Sequence, residues 1–241
     1  MGESALAKQP AYAGSVLAVV AAACVTGVLA SQPLQVSIAG IEAVGALLLL
    51  GSGLVRRRGH HVVGGVSVVA GSGLICLSLG LSLVVPGRLF ERIVLLGGVL
   101  AMAFVTLSVL PLKQSWARGF NGIGVGLFSC SLVFLAWIST PSSLQILLGV
   151  GLTIVTWDMA RYAITLGEDV GRSARTYSVT GMHFSGSLGV GLTAGSVAAA
   201  GSRITLPAVP IAALALFLSA VLILLFVVFL GDTAWLSGRE E

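Results

Sequence analysis

The chain is 241 residues long, 56% apolar and 9% charged, with a formal net charge of +4 at pH 7. So little charge in so apolar a sequence excludes a soluble domain, and +4 is too small an excess to mark a nucleic-acid binder. Seven prolines punctuate apolar runs about 20 residues long. Hydrocarbon offers no partner for a backbone N–H or C=O, so such runs must cross a bilayer as helices.

Eight spans are expected, in one all-α transmembrane bundle over residues 1–241. Span one covers about Ala11 to Ala30, and span two about Leu34 to Val55. Span three runs from about Val62 to Val85, before Pro86-Gly87. Span four covers about Arg92 to Leu112 and span five about Phe120 to Ile138. Span six starts after Pro141, near Leu144, and leaves the membrane near Leu166. Span seven covers about Met182 to Ala200 and span eight about Pro210 to Leu230. The stretch Val28-Leu29-Ala30 also has the small-residue character of a signal-peptide cleavage site, but the run before it is long and Glu3 precedes it, so a retained span is expected.

With the N-terminus inside, the cytoplasmic segments hold Lys8, Arg56, Arg57, Arg58, Lys113, Arg118, Arg161, Arg172, Arg175 and Arg239, ten of the 13 basic residues. Arg88, Arg92 and Arg203 remain on the other side. The positive-inside rule therefore puts both termini in the cytoplasm of a cell-membrane protein. Outer connections as short as Ser31-Gln32-Pro33 and Thr140-Pro141-Ser142-Ser143 force antiparallel neighbours.

Cys24, Cys76 and Cys130 lie in separate runs, which argues against a disulfide framework or a thiolate metal site and points to buried, apolar thiols. Glycine should set the packing, because membrane helices associate through close backbone approach. Gly122-x-Gly124-x-Gly126 in span five, Gly191-x-x-x-Gly195 in span seven, and Gly64, Gly65, Gly71 and Gly73 in span three nominate those three as inner helices.

Ionisable residues at membrane depth are the candidate sites. Glu42 stands about eight residues into span two, roughly 12 Å deep at 1.5 Å per residue. Its neighbours at helical spacing are Ala39, Gly45 and Ala46, so it is either a proton or cation site or a packed carboxyl bonded to a neighbouring helix. Asp158 and Arg161, three residues apart, can pair on one face of span six, with Trp157 and Tyr162 in the interfacial belt. Beyond Leu166 the helix is expected to run into the cytoplasm, where Glu168 and Arg172 stand in the favourable order; with Arg175 and His183 they form a candidate cytoplasmic contact. His183 has no histidine partner for a metal, since His60 and His61 belong to another loop. Arg56-Arg57-Arg58 reads as a headgroup anchor. A retinal protein needs a lysine in its last helices, and Lys8 and Lys113 are both in connecting segments. There is no P-loop, no His-Glu-x-x-His and no nucleophile elbow, so neither catalysis nor a cofactor is expected.

Thr156-Trp157-Asp158-Met159-Ala160, Leu166-Gly167-Glu168, Gly171-Arg172-Ser173-Ala174-Arg175-Thr176, and His183 with Gly189-Val190-Gly191 resemble an uncharacterised family of haloarchaeal multi-pass membrane proteins, over roughly residues 145 to 230. The segment from Arg175 to His183 carries less charge than the resemblance implies. The resemblance implies work beside a MoxR-type AAA+ ATPase, and no activity. Two readings follow. One is a structural or scaffolding subunit with a membrane-protein partner or a second copy of itself; the other is a transporter or channel using Glu42 and Asp158/Arg161.

Overall fold

A computed structural model of the chain describes residues 10–110, 114–139, 141–170 and 176–201. These form seven α-helices: α1 (Tyr12–Leu29), α2 (Pro33–Arg57), α3 (His61–Val84), α4 (Leu89–Val109), α5 (Gln114–Ile138), α6 (Ser143–Val170) and α7 (Tyr177–Gly201). The described residues contain no strand. The first six are long and apolar enough to cross a membrane, which makes this an integral multi-pass membrane protein. Helix α7 is as long as α5, at 25 residues, but its many glycines, serines and threonines dilute its apolarity. The eighth expected span lies outside the described residues.

Local sequence sets the breaks. Gln32 is extended before Pro33, and Pro33 opens α2, where its missing N–H costs nothing. At the end of α2, Gly59 adopts φ +87° and the His60 N–H returns to the Val55 carbonyl at 3.3 Å. That left-handed conformation is one only glycine adopts freely. Leu110 is extended before Pro111 and ends α4. Ser142, just after Pro141, accepts the Gln145 N–H at 3.1 Å and opens α6.

Helices α1 and α4 form the centre. α1 packs on α2, α4, α5 and α6, and α4 packs on α1, α2, α3, α5 and α6. Val19, Val25 and Leu29 of α1 interdigitate with Val94, Met102 and Val105 of α4, alongside Phe128 and Met159. The expected inner set, spans three, five and seven, is thereby corrected. Among the described helices α3 touches only α2 and α4, and most of α7 is exposed. The reason is that a glycine marks a close approach only where a neighbour arrives. A Cβ built on Gly45 of α2 would lie 2.8 Å from the Gly71 carbonyl oxygen, and one on Gly71 of α3 only 2.6 Å from that of Gly45. Gly124 meets the Ala101 carbonyl in the same way, whereas Gly122, Gly126, Gly186, Gly189, Gly191 and Gly195 have nothing within 4 Å among the described residues. The three cysteines are free and exposed on the outside of the bundle rather than buried. Lipid is as apolar as a protein core, so an apolar run does not say which of its residues face inward.

Polar ties join the helices at both ends. At one end the Ser31 N–H donates to Gln35 Oε1 (2.8 Å), Gln145 Nε2 donates to the Val28 carbonyl (2.8 Å), and Arg92 Nε donates to the Pro86 carbonyl (2.8 Å). At the other, the Ala11 N–H donates to the Ala163 carbonyl at 2.8 Å, and Arg118 grips Glu168 with bonds of 3.0 and 2.9 Å. The second end also carries Arg56, Arg58 and Arg161.

The reciprocal Gly45–Gly71 contact makes a test. Gly71→Leu should lower the melting temperature in detergent, at a cost of about 1–3 kcal/mol for the forced separation of α2 and α3. Gly73→Leu, two residues away with open space beside it, should change it little. Equal losses would mean that the helices do not cross at Gly71.

Candidate functional site between α6 and α7

Charged and aromatic groups converge where α6 runs beside α7. Asp158 and Tyr162 lie one turn apart on α6, and His183 and Ser187 lie one turn apart on α7, so the two pairs meet face to face. The Ser187 hydroxyl donates to Asp158 Oδ2 at 2.5 Å. His183 Nε2 stands 3.0 Å from the same oxygen, but the ring nitrogen is not aligned for a hydrogen bond. The contact is thus electrostatic, and an ion pair when the imidazole is protonated. The imidazole stacks on the Tyr162 ring, with centroids 4.1 Å apart and planes 10° from parallel. Phe184 and Leu188 fix α7 against the main core.

This arrangement corrects one expectation. Asp158 does not pair with Arg161, whose guanidinium instead sits over the Trp157 ring, 5.5 Å from its centre. Three residues of spacing permit a pair, but here a hydroxyl and an imidazole from the next helix reach the carboxylate while an exposed aromatic face takes the arginine. His183, expected with the cytoplasmic contact, is placed against Asp158 and Tyr162 of α6. Glu168 meets Arg118 of α5, while Arg172 and Arg175 lie outside the described residues. Ser187 was not singled out from the sequence, and Tyr162 was read only as a residue of the interfacial belt. The signal was present as two polar i,i+4 pairs on consecutive antiparallel spans.

A cavity of about 690 Å³ extends from this cluster between the two helices, lined by Leu147, Val150, Gly151, Ile154, Val155 and Trp157 of α6 and by Gly186, Val190, Gly191 and Gly195 of α7. Asp158, His183 and Ser187 also line it. A smaller cavity of about 330 Å³ lies between α5 and α6, among Arg118, Asn121, Trp157, Arg161 and Thr165. There Asn121 Nδ2 donates to the Trp157 carbonyl at 3.5 Å. Chemically, the α6–α7 cluster is not a nucleophilic triad, because the serine hydroxyl is spent on the carboxylate and not on the imidazole. It offers a carboxylate acceptor at the head of an apolar space. No group of three or more histidine, cysteine, aspartate or glutamate side chains suited to a metal ion occurs among the described residues.

Glu42 lies apart. It is fully buried, and neither carboxyl oxygen has a hydrogen-bond partner among the described residues. α2 packs on α1, α3 and α4, so Glu42 and Asp158 do not share a site.

The geometry predicts which charges are coupled. In a double-mutant cycle on thermal stability, Asp158→Ala and His183→Ala should together cost less than the sum of the two, with a coupling of about 0.5–3 kcal/mol. Asp158→Ala with Arg161→Ala should add to within about 0.5 kcal/mol. Coupling to Arg161 and none to His183 would contradict this arrangement.

No curated protein and no solved structure matches the chain. A family of unknown function, DUF7519, matches residues 70–225. That stretch contains the whole Asp158–His183 cluster and its cavity, while Glu42 falls before it. The match covers well over half of the sequence, and the chain belongs to the DUF7519 family.

Proposed function

We propose that this protein is a structural, scaffolding subunit of a cell-membrane complex, with eight spans and both termini in the cytoplasm. The observation that carries the reading is how the centre of the bundle uses its hydroxyls. Ser15 donates to the Ala11 carbonyl, Thr26 to Ala22, Thr106 to Met102, Thr153 to Gly149 and Thr156 to Leu152, each one turn back on its own helix. A hydroxyl committed in this way is neutral packing material, not a stepping stone for a polar solute. Transporters gather polar groups and broken helices at the midplane, and here α1 and α4 are continuous there.

The orientation follows from the clustering of Arg56, Arg57, Arg58, Arg118 and Arg161 at one end and Arg88 and Arg92 at the other. A cytoplasmic partner, in the resemblance a MoxR-type AAA+ ATPase, would meet the basic end. A membrane partner or a second copy of the chain would meet the lipid-exposed helices. The transport reading draws on Glu42, an enclosed carboxyl at membrane depth, with Asp158 and Arg161 as further polar groups.

Two measurements test the proposal. In a cysteine-free background, His60→Cys should react with an impermeant thiol reagent only from the cytoplasmic side and Ser143→Cys only from the outside; labelling of both from one side would end the orientation. For function, Glu42→Gln keeps the shape and hydrogen-bonding groups of the side chain, so its melting temperature should match wild type, and neither protein should drive proton- or cation-coupled uptake in liposomes. Wild-type uptake that vanishes in a stable Glu42→Gln protein would establish transport and overturn the scaffold.

A further inference from the structure

We infer that the space between α6 and α7 is a binding site for a membrane amphiphile with a primary ammonium head, the ammonium resting on Asp158 and the hydrocarbon chain lying between the helices. The shape comes first. From Leu147 to Asp158 on α6, and from His183 to Gly195 on α7, the space follows 11 or 12 residues of helix, a slot roughly 16 Å long at 1.5 Å per residue. Its volume of about 690 Å³ falls within the roughly 300–1,000 Å³ of small-molecule sites. Its walls are apolar except at one end, which suits a chain with a polar head and not a polar solute.

The slot is kept open by residues without side chains. Gly151 on α6 and Gly186, Gly191 and Gly195 on α7 would each carry a Cβ into unoccupied space. Among the described residues these glycines do not serve helix-to-helix contact as Gly45 and Gly71 do, so they leave room between the two helices.

The head end specifies the charge. Asp158 keeps 31% of its side chain accessible, toward the Trp157–Tyr162 end of a spanning helix, where an unpaired charge is still costly. Its protein neighbours are the neutral Ser187 hydroxyl and His183, which is charged only when protonated. Arg161, the fixed cation nearest in sequence, is turned onto Trp157. A carboxylate so placed lacks a permanent cation among the described residues, and a primary ammonium brings both that charge and three donors. Trp157 and Tyr162 flank the head end, at the level where amphipathic rings mark the membrane interface. An ammonium headgroup of a bilayer lipid and a free long-chain amine share this chemistry.

The test uses the full chain in a non-ionic detergent, titrated with dodecylamine, dodecanol and dodecanoate while the melting temperature is followed. Dodecylamine should stabilise saturably, dodecanol should bind roughly ten-fold more weakly, and dodecanoate should not stabilise. Asp158→Asn should erase the preference for the amine, and Gly191→Leu, which fills the slot while leaving the carboxylate, should weaken amine and alcohol alike. Equal stabilisation by all three heads, an Asp158→Asn protein that still prefers the amine, or a folded Gly191→Leu protein that binds unchanged would each overturn the inference. Mass spectrometry of co-purified lipid assigns the source: ammonium-headed lipid retained by wild type and lost in Asp158→Asn identifies a bilayer lipid. Dodecylamine binding without such retention identifies a free amine.

Discussion

The backbone N–H and C=O groups that lie in hydrocarbon must find their partners within the protein, and the fold follows from that constraint. Backbone groups are satisfied by helix formation. Most of the buried serines and threonines turn back to carbonyls of their own turns, with Thr26 also reaching the Gly98 carbonyl of α4 at 3.4 Å, which frees the helix surfaces to meet as apolar faces. With no hydrophobic drive between helices in lipid, the remaining attraction is close contact. It is strongest where small residues let backbones touch, at Gly45 against Gly71 and at Gly14 against Ala163. Helices α1 and α4, which present apolar surface to the most neighbours, therefore become the centre.

The same constraint locates the chemistry. An ionised side chain cannot be placed in such a centre without a partner, and Glu42 is the only charged residue type among the fully buried side chains described. The charges that do interact lie at the margin: Arg118 with Glu168 at the end of the bundle, Arg161 on Trp157, and Asp158 between α6 and α7. Of these, only Asp158 is joined to two side chains of a neighbouring helix while facing an apolar cavity. The part of the chain that defines the family encloses this cluster, so the α6–α7 pair is where a property shared by the family is best sought.

The helices were legible in the sequence because their cause is local. Proline, extended residues before proline, and apolar length fix where a membrane helix starts and stops, and the expected spans one to six match α1 to α6, the largest offset being the start of α5 at Gln114 rather than Phe120. Their arrangement was not legible. Glycine spacing suggested spans three, five and seven as inner helices, yet the glycines of span seven line a space, and whether a glycine meets a backbone depends on which helix comes alongside. The same ambiguity hid the outward placement of the cysteines. For the site, Asp158, Arg161 and His183 were each conspicuous as polar groups in apolar runs. Their partners were not, because spacing within one helix favoured Asp158 with Arg161, whereas the pairing across helices required knowing that residues 158 and 162 face 183 and 187.

The central claim is that Asp158 ties α7 to α6. It is tested most directly by a spin-label distance measurement in lipid nanodiscs, with labels at Thr165 on α6 and Val179 on α7, both exposed, in a cysteine-free background. Wild type should give a single narrow distance distribution, and Asp158→Ala should broaden it, since the hydroxyl and imidazole of α7 then lose their common acceptor. A distribution that Asp158→Ala leaves unchanged would contradict the account and leave the packing of Phe184 and Leu188 as what holds α7.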